Sequence, residues 1–203
     1  MPRFYHVAKN QLVPGQVIDL IKISEINVNP PEIKTYINKS FERGLTYHGI
    51  EYLINERRKI LKTISLKENE SRNKKHIIED VELIIELIFE YVRQSNYNNK
   101  PSRFQSIFAA EHLKEAKDFR YLYRKSEGDI WLIECENYFK ADMNIVTDPL
   151  YNTSLILSYL THEYWLGHPH PKYSKPSWEY LLTPPVKILR KIEEDEISQL
   201  EDR

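Results

Sequence analysis

Several residue groups in this chain could do chemistry by type and spacing alone. His162 and Glu163 open like a zinc-protease helix, but the position that needs the second histidine holds Leu166. His162, His168 and His170 could gather around a metal. Pro169 and Pro171 make that a poor preformed site, so surface or capping histidines are expected and no metal. Glu134 and Glu136 fall on one strand face with Cys135 on the other, and either glutamate could act as an acid. Cys135 is the single cysteine, which excludes an internal disulfide; within a strand it reads as a buried, inert thiol. Arg57, Arg58, Lys59, Lys62, Lys67, Arg72, Lys74 and Lys75 form a basic cluster. It could track phosphates, although a solvated helix face with a loop is the plainer reading. Arg103 has the planar fork to clamp a pyrophosphate, or to pair internally with a carboxylate. Ser102 and Ser106 beside it could touch a phosphate or a target. With five glycines the chain hardly supports a Gly-rich phosphate loop, and no G-x-S-x-G elbow is present.

The elements that must position these groups centre on 101–148. A strand is predicted over 104–109, a helix over 111–123, a polar turn at 126–129 and a strand over 130–135. Upstream, a short strand covers 3–7, and Pro14-Gly15 turns the chain into a second over 16–21. Prolines open a helix over 32–43 and Gly44 ends it. A further helix is expected over 49–62, then an exposed loop over 65–75. The strongest helix covers 77–93: Ile77, Val81, Ile84, Ile88 and Tyr91 recur at helical spacing, and Ile78, Ile85 and Val92 widen the stripe. Glu79, Asp80, Glu82, Glu86 and Glu90 fill its expected wet side. Downstream, 153–165 can be helical, with Leu155, Ile156, Tyr159, Leu160 and Tyr164 on one side. Two last strands are expected over 178–182 and 186–192, followed by a fraying acidic tail at 193–203. Strands at both ends with helices between them predict a single α+β domain.

The composition fits that picture. An apolar share of 41% with 12% aromatic residues can bury a core, so global disorder is not expected. A net charge of -1 demands no polyanionic partner. No apolar run approaches the ~18 residues of a membrane span, and no leader pattern precedes the first strand, so a cytoplasmic location is expected.

Several pieces resemble the small rifampin-type ADP-ribosyltransferases, in the same order. Phe4-Tyr5-His6-Val7-Ala8-Lys9 is similar to their opening aromatic-His-Gly-Thr-Lys strand. Ser106-Ile107-Phe108-Ala109 resembles their strand carrying an aromatic residue into a helix. Gly128-Asp129-Ile130-Trp131-Leu132-Ile133-Glu134 resembles their Gly-x-Ile-aromatic-Ile-Val-Glu strand. Asp142-Met143-Asn144-Ile145-Val146-Thr147-Asp148 resembles their Asp-Pro-Asn-Val-Thr-Asp, and Pro185-Val186-Lys187-Ile188-Leu189 their closing strand. These pieces cover about half the chain. Pro101-Ser102-Arg103-Phe104-Gln105-Ser106 and Ala141-Asp142-Met143-Asn144 also resemble a group of uncharacterised bacterial proteins.

The resemblance implies an ADP-ribosyltransferase-like split β-sheet core, with a helical insertion at about 30–100. It implies NAD as substrate. Asp142 stands at the family's catalytic acidic position, His6 would hydrogen-bond the adenosine-side ribose, the Val7 backbone would grip the nicotinamide amide and Phe108 would stack on its ring. Arg103 is added as the pyrophosphate clamp. Val7-Ala8 stands where the family has Gly-Thr, and Phe108 where it has Tyr. The implied activity is mono-ADP-ribosylation of a macromolecular acceptor, RNA, DNA or protein. A toxin or phage-defence role with a neutralising partner protein would fit it. An NAD glycohydrolase and a non-catalytic module that binds nucleic acid or protein are the alternatives.

Overall fold

A computed structural model describes residues 1–55, 59–65, 74–78, 80–147 and 153–198. The chain is α+β, with two antiparallel sheets, a separate hairpin and seven α-helices among the described residues. The strands are β1 (Arg3–Ala8), β2 (Val17–Ile18), β3 (Leu61–Ser65), β4 (Lys74–Ile78), β5 (Ile107–Ala109), β6 (Asp129–Glu134), β7 (Tyr138–Asp142), β8 (Trp178–Leu182) and β9 (Val186–Lys191). The helices are α1 (Pro31–Ser40), α2 (Tyr47–Leu53), α3 (Val81–Asn96), α4 (Leu113–Arg124), α5 (Met143–Thr147), α6 (Ser154–Leu166) and α7 (Glu194–Ser198). One sheet runs β1-β6-β9-β2 and the other β5-β8-β7, while β3 and β4 pair alone.

Strand alternation sorts the side chains into layers. In the first sheet, Phe4, Ala8, Trp131, Ile133 and Ile188 face the second sheet and meet Ile107, Ala109, Tyr180 and Leu182 in one buried cluster. The back of that sheet, Val7 and Ile130, packs on Ala116 of α4 and Ile197 of α7. The back of the second sheet, with Leu181, Ala141 and Phe108, packs on Ile85 and Phe89 of α3 and on Leu160, Tyr164 and Trp165 of α6. A fourth cluster joins α1 and α2 to Phe104.

Several expectations are corrected. The helix expected over 49–62 stops at Leu53, and β3 begins at Leu61. The expected insertion therefore holds a hairpin as well as helices. The strand expected from 104 starts at Ile107, because Arg103–Gln105 forms a 3-10 turn. The core face of α3 is Ile85, Glu86, Phe89 and Glu90, whereas Val81 and Tyr91 are exposed. On α6, Leu155 and Tyr159 are exposed while Leu160, Tyr164 and Trp165 are buried. The acidic end forms α7, pinned by Arg120–Glu194 at 2.7 Å, with Arg190–Glu196 at 2.6 Å beside it. Most of the expected loop over 65–75, the side chains of Arg57, Arg58, Lys62, Lys67, Arg72, Lys74 and Lys75, and Asp148 with 199–203 lie outside the described residues. Among the described residues no helix is long and apolar enough to cross a membrane.

Candidate active site

Among the described residues the two sheets touch edge to edge at one bridge. Tyr5 N donates to Ala110 O at 2.8 Å, and Ala110 N to Tyr5 O at 2.9 Å. Continuing that register would set Val7 opposite Phe108, but the strands part there. The Phe108 carbonyl is instead bonded to His6 Nδ1 at 2.7 Å. A carbonyl only accepts, so Nδ1 carries the proton. Burial lowers the His6 pKa and Arg124 adds to that, against the raising effect of the Phe108 bond. The neutral ring therefore keeps a lone pair on Nε2, and no described residue bonds that atom.

Val7 lies at the same opening. Because Tyr5 exchanges both its backbone bonds with Ala110, residues 3, 5 and 7 point their backbone groups away from β6. Ile130, the register partner of Val7, confirms this: its carbonyl accepts from Ile192 N at 2.8 Å, on the β9 side. The N–H and C=O of Val7 thus face the open edge of β1, with no partner among the described residues, although Val7 is only 8% exposed. Paired backbone groups are the rule at such burial. Gly128 has φ +90 and a Cβ there would sit 2.7 Å from the Ala8 carbonyl, so glycine lets β6 start tight against β1.

Asp142 ends β7 on the face turned toward the first sheet, in register with Trp178. It is fully buried. Oδ1 accepts from the amides of Asn144 at 3.0 Å and Ser177 at 2.8 Å, and Oδ2 from His170 N at 2.8 Å. The carboxylate therefore holds the turn into α5 and both ends of the 170–177 segment. Phe108 and Asp142 are three residues out of register with β8 between them, ~14 Å apart by strand geometry.

The Phe108 ring points to the other face of its sheet, away from the His6 opening. The Arg103 guanidinium lies 4.7 Å from its centroid. Arg103 is 4% exposed. Its Nε and Nη2 donate to Glu86 at 2.8 Å each, and Nη1 to Glu179 at 2.6 Å and to the Tyr164 hydroxyl. The pyrophosphate clamp is thus corrected to an internal ion-pair partner, since carboxylates already fill the fork. Ser102 and Ser106 are corrected likewise: both are buried, Ser102 bonding Glu90 at 2.9 Å and Ser106 the Ser102 carbonyl at 2.7 Å. Phe104 is core and Gln105 holds Gly44 O at 2.8 Å, so the whole 101–106 motif is a docking turn.

Pattern alone missed Glu86, His48, Tyr164 and Glu179. Burial would raise the Glu86 pKa, but Arg103 and His48 outweigh it and hold the carboxyl far below its usual range. The one available signal was a lone arginine after a helix rich in glutamate.

The remaining candidates lie apart. His162 Nδ1 bonds the Tyr97 hydroxyl at 2.9 Å, His168 pairs with Glu163 at 3.0 Å, and His170 meets the Tyr173 ring edge-on. Cys135 is buried and burial pushes its thiol up. Glu134 pairs with Lys187 at 3.5 Å, and exposed Glu136 lines a groove of about 410 Å³ with Lys100 and Tyr138.

A family model described as protein of unknown function (DUF2441) matches residues 4–194. The chain belongs to the DUF2441 family. The matched span runs from β1 into the first residue of α7, so the opening beside Val7, the Asp142 anchor and the Arg103 cluster all lie within it. No curated protein matches the chain.

Proposed function

We propose that the protein is an NAD-dependent mono-ADP-ribosyltransferase on an ADP-ribosyltransferase-like split sheet, with a nucleic acid or protein as acceptor. The observation that carries this reading is the N–H and C=O of Val7, without a partner among the described residues, at the opening beside His6. A carboxamide offers the complementary C=O and N–H, so nicotinamide can add to the edge of β1 as one more peptide unit would. The lone pair on His6 Nε2 then accepts from a ribose hydroxyl. The order of the resembling motifs along the chain supports the same assignment.

Transfer breaks the bond between nicotinamide and ribose, and positive charge grows on the sugar, as in glycoside cleavage. A carboxylate beside the ribose stabilises that charge. Asp142 takes this part only if the 170–177 segment releases one of its amides and uncovers an oxygen.

The test uses labelled NAD with protein, RNA and DNA acceptors, following free nicotinamide and attached label. Val7→Pro deletes this N–H without removing a ladder bond. Loss of nicotinamide release in Val7→Pro and His6→Ala, with folding retained, is the expected result. Release without attached label assigns a glycohydrolase. Wild-type protein that neither binds nor cleaves NAD sinks the reading and leaves the binding module.

A further inference from the structure

We propose that His48 is the general base that deprotonates the acceptor, with Glu86 as the carboxylate that orients it. This rests on the ADP-ribosyl transfer reading and adds the acceptor side of that site.

Position comes first. Thr46 caps α2, its hydroxyl accepting from Gly49 N at 3.3 Å, and both its N and Oγ1 donate to the Phe104 carbonyl at 3.0 Å. A Cβ at Gly49 would sit 2.3 Å from that same carbonyl, so only glycine lets α2 approach this closely. The approach drives His48 onto the second sheet. Its ring lies 4.7 Å from the Phe108 ring, edge-on, and 4.4 Å from Tyr52. Phe108 is thus shared by two histidines: His6 takes its carbonyl and His48 its ring. β5 is an edge strand, so the His6 opening and the His48 ring flank it on its two faces.

The electrostatics then fix the tautomer. His48 Nε2 is buried without a hydrogen bond and stands 3.5 Å from Glu86 Oε1. A lone pair aimed at a carboxylate oxygen is repelled, so Nε2 carries the proton. Glu86 cannot swing away, because Arg103 grips both its oxygens. Two buried carboxylates, Glu86 and Glu179, share the Arg103 guanidinium beside the ring. Tyr164 adds only a neutral hydroxyl and Glu82 is bonded by Tyr52. The other ring nitrogen, Nδ1, forms no bond among the described residues and is not buried, in a side chain that is 21% exposed. A fixed inner N–H beside a carboxylate and an outer lone pair with no partner among the described residues are the arrangement of an oriented base.

In the step this implies, an acceptor hydroxyl or amine attacks the ribose carbon that bears nicotinamide. The carbon–nitrogen bond breaks and its electron pair stays on the nicotinamide ring, which leaves neutral. The acceptor's proton moves to His48 Nδ1, and the imidazolium later returns it to water.

His48→Gln separates a base from a structural donor. The Gln amide can still donate to Glu86 but takes no proton. The expected result is a fall of about 100-fold or more in kcat for label transfer, with KM for NAD unchanged and melting within a few degrees of wild type. Nitrogen-15 NMR of wild-type protein is expected to show His48 as the Nε2–H tautomer, a readout independent of NAD. The Nδ1–H tautomer, or full transfer in His48→Gln, overturns the proposal. Wild-type protein with the expected tautomer but no cleavage of NAD overturns the acceptor role together with the reading it rests on, whereas cleavage that ignores His48 overturns the base alone.

Discussion

Asp142 Oδ2 accepts the backbone N–H of His170 at 2.8 Å across 28 residues of sequence, in a site with no exposed surface. Two further amides converge on the same side chain. Asp142→Ala would strand all three, at ~1–3 kcal/mol each. We therefore expect Asp142→Ala to lose at least about 3 kcal/mol in urea unfolding. It does not test catalysis cleanly. Asp142→Asn keeps Oδ1 for Asn144 and Ser177 but turns an NH2 toward the His170 N–H, and should lose less. A fold unchanged in both variants would contradict the anchoring role.

His6 predicts a pH slope. Its folded pKa is depressed by burial, so the folded state prefers the neutral ring. The contribution is complete above the ordinary value of about 6.5 and drains away as pH falls toward the folded value. Urea midpoints should drop between about pH 7 and 5 in wild type, and more gently in His6→Asn, which can still donate to the Phe108 carbonyl. Equal slopes would place His6 outside the linkage.

Arg103→Met should cost about 3–5 kcal/mol, because Glu86 and Glu179 would remain buried without their cation. Adding Glu86→Gln and Glu179→Gln removes the stranded charges and should recover part of the loss. Thermal melts of the single and triple variants check this. No recovery would mean that shape, not charge, dominates the cluster.

Cys135 should resist iodoacetamide in the native protein and react after unfolding. Burial raises its thiol pKa, so little thiolate forms near neutral pH. Mass spectrometry after timed quenching reads it directly. Rapid native labelling would show that the 135 region opens.

Much of this fold was legible in sequence. The β-branched and aromatic alternation of β1, β6, β8 and β9 marked them, and prolines and glycines marked the ends of α1. Glu86 and Glu90 were not legible as core. On a helical wheel a glutamate marks the wet side, and only Arg103, arriving 17 residues later, turns Glu86 inward. The phase of α3 shifted with it. The 49–62 helix failed for a related reason: its spacing does not reveal that the next segment pairs with β4. At the site, the opening at Val7 depends on which edge of a strand is left bare. That is a property of tertiary pairing and leaves no mark on residue type.

The partners of Arg103 lie 17, 61 and 76 residues along the chain. Its guanidinium must shed water only when α3, α6 and β8 have all arrived, because a half-assembled cluster would bury an unmatched charge. The cluster then belongs to the last stage of folding. Arg103→Met should chiefly speed unfolding and leave the folding arm of the chevron nearly untouched. Arg103 thus acts as a lock on the finished topology: it adds little to the search and much to the lifetime of the native state.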